Sequence, residues 1–263
     1  MIRRTLMLAA LALAAQGATA KDWSTIRFAT EGAYPPFNTV DTSGNVQGFD
    51  VDIANALCEQ MQARCTWVKQ EWDGMIPALM SRKFDAISAS MSITEERKKR
   101  VDFTERYYAT PLALVAKNGS PLVPEIAALK GKRIGVQRGT VADNHATRFW
   151  EREGVSIVRY ARQEEAYLDL AAGRLDAAWA DALVADGGFL KTDGGAGYAF
   201  VGGLYYGKNA DEKAVIGEGV GIAVRKQDGE LKQKLNEALA AIRASGKYDE
   251  IRAKYFDYDI YGE

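Results

Sequence analysis

One local pattern occurs twice, and it constrains the fold more than any other feature of the chain. Ala78-Leu79-Met80-Ser81-Arg82-Lys83-Phe84-Asp85-Ala86 is echoed by Asp169-Leu170-Ala171-Ala172-Gly173-Arg174-Leu175-Asp176-Ala177. Each copy reads as a helix end, a basic turn, and Asp-Ala leading into a short apolar strand. The copies stand 91 residues apart, beyond the usual period of a solenoid, so they indicate two similar domains. Around them, strand-like runs alternate with helical periodicity. Ile26–Thr30, Cys65–Lys69 and Ala86–Ala89 read as strands, with helices predicted over Phe49–Met61 and Trp72–Met80. The alternation repeats as strands Arg133–Gln137, Ser156–Tyr160 and Ala177–Ala180, separated by helices Val141–Arg152 and Gln163–Ala172. Such alternation predicts an α/β architecture with largely parallel sheets. In open α/β sheets ligands sit at the carboxyl ends of strands. Five residues past the two aspartates stand Ser90 and Asp181, which predicts a cleft with a hydroxyl on one wall and a carboxylate on the other.

The N-terminus predicts export. Arg3 and Arg4 precede an apolar run from Leu6 to Ala15, and Ala18-Thr19-Ala20 follows just before Lys21-Asp22. A basic start, a short apolar core and an A-x-A site form a secretory signal peptide, here residues 1–20. The apolar run is well short of the roughly 20 residues that span a bilayer. Loss of Arg3 and Arg4 shifts the formal net charge from −1 to −3. That balance excludes nucleic acid and anionic membranes as partners. Both cysteines, Cys58 and Cys65, lie in the exported part, which favours a disulfide over a free thiol or a metal site. Two sulfurs with no nearby histidine do not fill a tetrahedral zinc shell, and no cofactor is expected.

The order of several segments carries a resemblance. Ala29-Thr30-Glu31-Gly32-Ala33-Tyr34-Pro35-Pro36-Phe37-Asn38 is followed by Gly48-Phe49-Asp50 and Trp72-Asp73-Gly74-Met75. Ser90-Met91-Ser92-Ile93-Thr94-Glu95-Glu96-Arg97 comes next, and Lys254-Tyr255-Phe256 lies near the end. Together these resemble the periplasmic solute-binding proteins of polar amino acid ABC transporters, most closely the lysine/arginine/ornithine- and histidine-binding branch. The resemblance spans essentially residues 21–263. It implies a two-lobed periplasmic-binding-protein fold (type II) with two hinge strands and a ligand cleft between the lobes. Lobe one is expected as 21–110 plus 212–263 and lobe two as 111–211. It also implies a monomer in the periplasm that binds a free amino acid and serves an inner-membrane ABC permease.

A zwitterion needs a cation for its carboxylate, acceptors for its ammonium, and a match for its side chain. Arg97 suits the first need, because a guanidinium offers a carboxylate a planar fork; the charge run around it would otherwise read as solvated surface. Ser90 and Ser92 are expected at the same ligand end, and Thr94 as the cap of the helix carrying Arg97. Thr140 and Val141 open the second lobe's helix, whose backbone N–H groups attract a carboxylate. Asp181 is expected to accept the ammonium, and Glu31 to meet a distal cation. Tyr34 and Trp72 are expected as aromatic walls. Departures from that branch are Glu31 for an aspartate, Ala89 for a serine, Val141 for a threonine, and Gln137-Arg138 for an apolar-Gln pair. The expected ligand is a cationic amino acid, with an arginine-derived opine or glutamine as alternatives. A dehydratase on the same fold is the alternative of another class. His145 is expected on a helix surface.

Overall fold

The computed structural model describes residues 21–262, so the expected leader lies outside the described residues. The first part of the chain runs β1 (Thr25–Thr30), β2 (Ala33–Tyr34), β3 (Asn38–Val40), β4 (Val46–Gln47), α1 (Phe49–Gln60), β5 (Arg64–Lys69), α2 (Met75–Met80), β6 (Ala86–Ile87), α3 (Glu95–Lys98) and β7 (Asp102–Phe103). A second set follows: β8 (Leu112–Lys117), α4 (Ile126–Leu129), β9 (Arg133–Gln137), α5 (Val141–Phe149), β10 (Ser156–Tyr160), α6 (Gln163–Ala171), β11 (Ala177–Asp181), α7 (Ala182–Ala185), β12 (Tyr198–Tyr205) and α8 (Ala210–Ile216). The chain then returns through β13 (Ala223–Val224) to α9 (Gly229–Ala244) and α10 (Lys247–Arg252).

Two five-stranded sheets result, ordered β5-β1-β6-β13-β7 and β10-β9-β11-β8-β12. In each, three parallel strands come first and an antiparallel strand follows the third. The echo seen in sequence therefore marks equivalent joints, since Ala86 opens β6 and Ala177 opens β11. Its aspartate has the same task in both sheets. The Asp85 amide donates to Arg27 O while its carboxylate accepts from Arg27 N–H. Asp176 does the same with Arg133. One short side chain thus ties the start of the first strand to the start of the third, satisfying backbone groups where the ladder begins.

Apolar spacing places the helices. In α1, Phe49, Ile53 and Leu57 recur every fourth residue and are buried, with Asp50 and Asp52 in the first turn where the helix dipole favours acids. In α9, Leu231, Leu235, Ala238, Leu239 and Ile242 form one buried stripe. Each buried leucine there contributes about 1.5–3 kcal/mol. Both helices share a core with β1, while Met75, Leu79 and Phe84 cover the sheet's other face. The second sheet is likewise covered on both faces. Cys58 in the last turn of α1 bridges to Cys65 in β5 across a Cα–Cα distance of 5.9 Å, as the sequence predicted. Among the described residues no helix is long and apolar enough to cross a membrane.

The chain passes between the two sheets twice, on neighbouring paths. Tyr107 N–H donates to Val220 O and Val220 N–H to Tyr108 O, an antiparallel bridge that ties the outgoing path to the returning one. The expected boundary at 211–212 falls inside α8, a helix that packs against α5 and places Ile216 on the second core. Beside the crossings the lobes touch backbone to ring. A Cβ built on Gly187 would lie 2.8 Å from Pro36 Cδ, and one on Gly188 would lie 3.1 Å from Pro35 O, so only bare backbone permits this approach.

His145 does not lie on the surface as expected. It is fully buried among Phe149, Trp150, Trp179 and Tyr205. Helical geometry is the reason: Val141, His145 and Phe149 are spaced by four, so the histidine shares the inward stripe of α5. Neither ring nitrogen has a hydrogen-bond partner among the described residues, and burial pulls the imidazole down to about 4.

Candidate functional site

The loops that leave the carboxyl ends of the parallel strands meet between the lobes. Glu31 follows β1, Ala89, Ser90 and Ser92 follow β6, Gln137 ends β9 and Asp181 ends β11. With Tyr34, Trp72, Arg97, Thr140 and Val141 they line one cavity of about 260 Å³ between protein atoms. Direct hydrogen bonds cross it from Tyr34 to Asp181, from Arg97 to Gly139 and from Gln137 to Glu31, so the two walls are drawn together. All ten residues expected from sequence face this space, and Gln137 joins them.

Arg97 owes its place to a short helix. Thr94 caps α3 by accepting from the Arg97 amide at 3.2 Å. The guanidinium then points inward and is only 9% exposed. It donates to Ser92 O at 2.9 Å within its own lobe and to Gly139 O at 3.2 Å across the cleft. The Trp72 ring lies 5.2 Å from its Cζ, a stacking that fixes the plane of the fork and leaves the remaining N–H donors for the cavity. Burial lowers the guanidinium to about 10, with the Asp181 charge opposing; it stays a cation at neutral pH.

Ser90 adopts a left-handed backbone, φ 54°, uncommon for a residue with a side chain and frequent where a site holds strain. Its hydroxyl donates to Asp50 at 2.9 Å. Asp50 is fully buried and also accepts from Asn38 and Tyr107. A hydroxyl has one hydrogen, so Ser90 presents lone pairs to the cavity. That suits a cationic group better than the carboxylate end the sequence suggested.

On the second lobe, Thr140 caps α5 by accepting from Asp143 N–H and itself donates to Gln137 O. Gly139 before it has φ +70°, and a Cβ there would stand 3.5 Å from Trp72 Nε1 of the other lobe. Asp181 makes no cap bond to α7; its carboxylate accepts from Tyr34 O–H at 2.8 Å across the cleft. Burial raises Asp181 to about 6, against the Tyr34 hydrogen bond and the Arg97 charge. At the far end Gln137 Nε2 donates to Glu31 Oε1 at 2.8 Å. Burial raises Glu31 to about 7, with that hydrogen bond acting in the opposite direction. Nearer solvent, Arg162 pairs with Glu71 at 2.7 Å and Arg138 with Asp73 at 3.4 Å, again between lobes.

Gln137 was legible by the rule that nominated Ser90 and Asp181, since it is the last residue of a parallel strand. A wider groove lies on the hinge side and shares Ser92, Val141 and Asp181 with the cavity. Its other charges include Asp186, paired with Lys191, and Glu218, paired with Lys98. Buried charges of both signs converge only in the smaller space, which is the candidate site. Among the described residues no group of His, Cys, Asp and Glu could hold a metal ion.

Two similar α/β lobes joined by paired crossings, with buried charges facing each other across a narrow cleft, define a two-lobed solute-binding protein. The chain matches the model of the bacterial extracellular solute-binding proteins, family 3, over residues 26–258, and it belongs to that family. It is 54% identical to an L-arginine-binding protein of Pseudomonas aeruginosa, covering 90% of each chain. It is 42% identical to the lysine/arginine/ornithine-binding periplasmic protein of Escherichia coli, covering 91% of this chain and 90% of the relative. An ancestral arginine-binding protein solved with arginine bound superposes with a TM-score of 0.79 at 37% identity, over 89% of this chain and 98% of the other.

Proposed function

We propose that this protein binds a cationic amino acid, arginine foremost, in the periplasm and delivers it to an inner-membrane ABC permease as a monomer. One observation carries the reading: a buried guanidinium on one lobe and a buried carboxylate on the other line the same cavity. Arg97, with the first N–H groups of α5 behind Thr140 and Val141, takes the ligand carboxylate. Asp181 takes the ammonium, which displaces the Tyr34 hydroxyl, and Ser90 adds lone pairs; Ser92 and Ala89 floor the space. Glu31 faces the distal cation, with Tyr34 and Trp72 as aromatic walls. The closed state is favoured because only there does the ligand touch both lobes. The arginine-binding relatives support arginine among the cationic amino acids. A dehydratase needs a positioned acid or base; His145 is sealed among aromatic rings away from the cavity, and Glu31 is the one group that this alternative would use, in place of its role toward a distal cation.

A thermal-shift screen tests this with arginine, ornithine, lysine, histidine, glutamine and octopine. A ligand at 100 times its Kd stabilises by about 2.7 kcal/mol. Arginine gives the largest rise in Tm. A larger rise with glutamine or octopine, or none with any compound, contradicts the proposal.

A further inference from the structure

We infer that Gln137 makes the distal end of the cleft select a guanidinium over an ammonium; the inference rests on the proposed cationic amino acid ligand. The side chain is 1% exposed and is clamped at one end. Its Nε2 donates to Glu31 Oε1 at 2.8 Å and to Ala161 O at 3.2 Å. Two acceptors on one atom use both amide hydrogens and identify that atom as the nitrogen. The amide oxygen is therefore the end with capacity to spare, and among the described residues no donor is paired with it or with Glu31 Oε2.

The distal end of the cavity thus offers two acceptors on opposite walls, a carboxylate oxygen from lobe one and an amide oxygen from lobe two. A guanidinium is a planar fork with donors pointing along separate directions, and it can serve both at once. An ammonium is a compact charge on a flexible stem whose three donors leave from a single nitrogen; centred on Glu31, it meets the amide oxygen less well than a second guanidinium nitrogen does. Leaving a buried acceptor unmet carries the desolvation penalty of that group. A site built to hydrogen-bond a ligand group discriminates strongly against analogues that lack it. Bridging at this end also adds a second tie between the lobes, beside the one through Arg97 and Asp181.

The test is isothermal titration of arginine and lysine into the wild-type protein and into Gln137→Met, which keeps the length and removes the amide. Gln137→Asn, which withdraws the amide by one methylene, is titrated in parallel, and ligand-free melting confirms that both variants fold. The expected result is a fall in arginine affinity of about 10- to 100-fold with lysine changed by less than about 3-fold, so the arginine-to-lysine ratio collapses. If arginine and lysine weaken by the same factor, or the ratio is unchanged, the inference is overturned while the proposed function stands. A wild-type protein that binds neither compound overturns both.

Discussion

The two lobes share a topology but hold their site residues by different means. In lobe one the cavity wall is backed by a buried polar network. Asp50 collects Asn38, Ser90 and Tyr107 and Thr94 fixes Arg97; at the opposite end of the same sheet Asp85 binds Arg27 and the fully buried Arg225. Burial pushes Asp85 up, but the hydrogen bonds from Arg27 and Arg225 outweigh it and hold it near 2. In lobe two Asp143 collects Gly139 N–H, Thr147 and Arg159 behind the wall, beside an aromatic cluster of His145, Trp150, Trp179 and Tyr205. There the Asp181 carboxylate finds its donor across the cleft, in Tyr34. Arg97 thus has a partner in its own lobe as well as across the cleft, whereas the Asp181 carboxylate is completed by what its lobe closes upon. A ligand ammonium at Asp181 would do the work of Tyr34 and couple occupancy to closure.

The sharpest way to break this contrast is to truncate one charge from each lobe. Removing one partner of a desolvated charge pair costs about 2–5 kcal/mol, about 30- to several-thousand-fold in affinity. Arg97→Ala and Asp181→Ala should each weaken arginine binding by that range in titration calorimetry. Their melting should differ. Arg97→Ala lowers the ligand-free Tm because Ser92 O and Gly139 O lose a donor. Asp181→Ala lowers it less, since only the Tyr34 hydroxyl loses a partner and a carboxylate whose pKa is raised by burial is removed. Equal drops in Tm would erase the distinction between the lobes.

A smaller effect isolates the aromatic backing. His145 titrates near 4 in the fold against about 6.5 unfolded. The unfolded chain thus binds the extra proton first. Stability from this group is complete above about pH 6.5 and declines as pH falls toward 4, by about 3 kcal/mol in all. Denaturant titrations of His145→Leu between pH 4 and 7 should show a flatter acid limb than the wild type; parallel limbs would disprove the neutral buried ring.

Lobe one has its own staple. Cys58 and Cys65 are separated by 7 residues, and a loop that short contributes about 2 kcal/mol in the chain-entropy model. Reduction should lower the free energy of unfolding by that amount and leave arginine affinity within about 2-fold, because neither sulfur borders the cavity. A large loss of affinity would show that the wall depends on the staple.

The mildest test uses pH on the ligand. Burial raises Glu31 to about 7, so without a cation beside it the carboxyl binds a proton below that pH. A guanidinium requires the ionised form. Arginine binding should release a proton near pH 6 and weaken by up to about tenfold from pH 7 to pH 6. Glutamine, with no distal charge, should show no such fall. Identical pH profiles for the two would remove Glu31 from the distal site.

Local signals explain what could be read before any coordinates. The Asp-Ala joint, the strand-end rule that placed Ser90 and Asp181, the Thr94 cap three residues before Arg97, and the cysteine spacing all act within a few residues. The pairings that shape the cavity do not. Gln137 meets Glu31 over a separation of 106 residues and Tyr34 meets Asp181 over 147, so no local spacing encodes them. Two misses were local and avoidable. The spacing of Val141, His145 and Phe149 already put the histidine inside. Asn209, which caps α8 by accepting from Glu212 N–H, with Gly217 after the helix, already carried that helix past residue 211.

A crystal structure with L-arginine bound is the most direct trial of the idea that each jaw holds one charge of the ligand. The account predicts the α-carboxylate on Arg97, the α-ammonium on Asp181, and the guanidinium between Glu31 and Gln137. Arginine seated in the reverse sense, or held by one lobe with Asp181 still bonded to Tyr34, would contradict it.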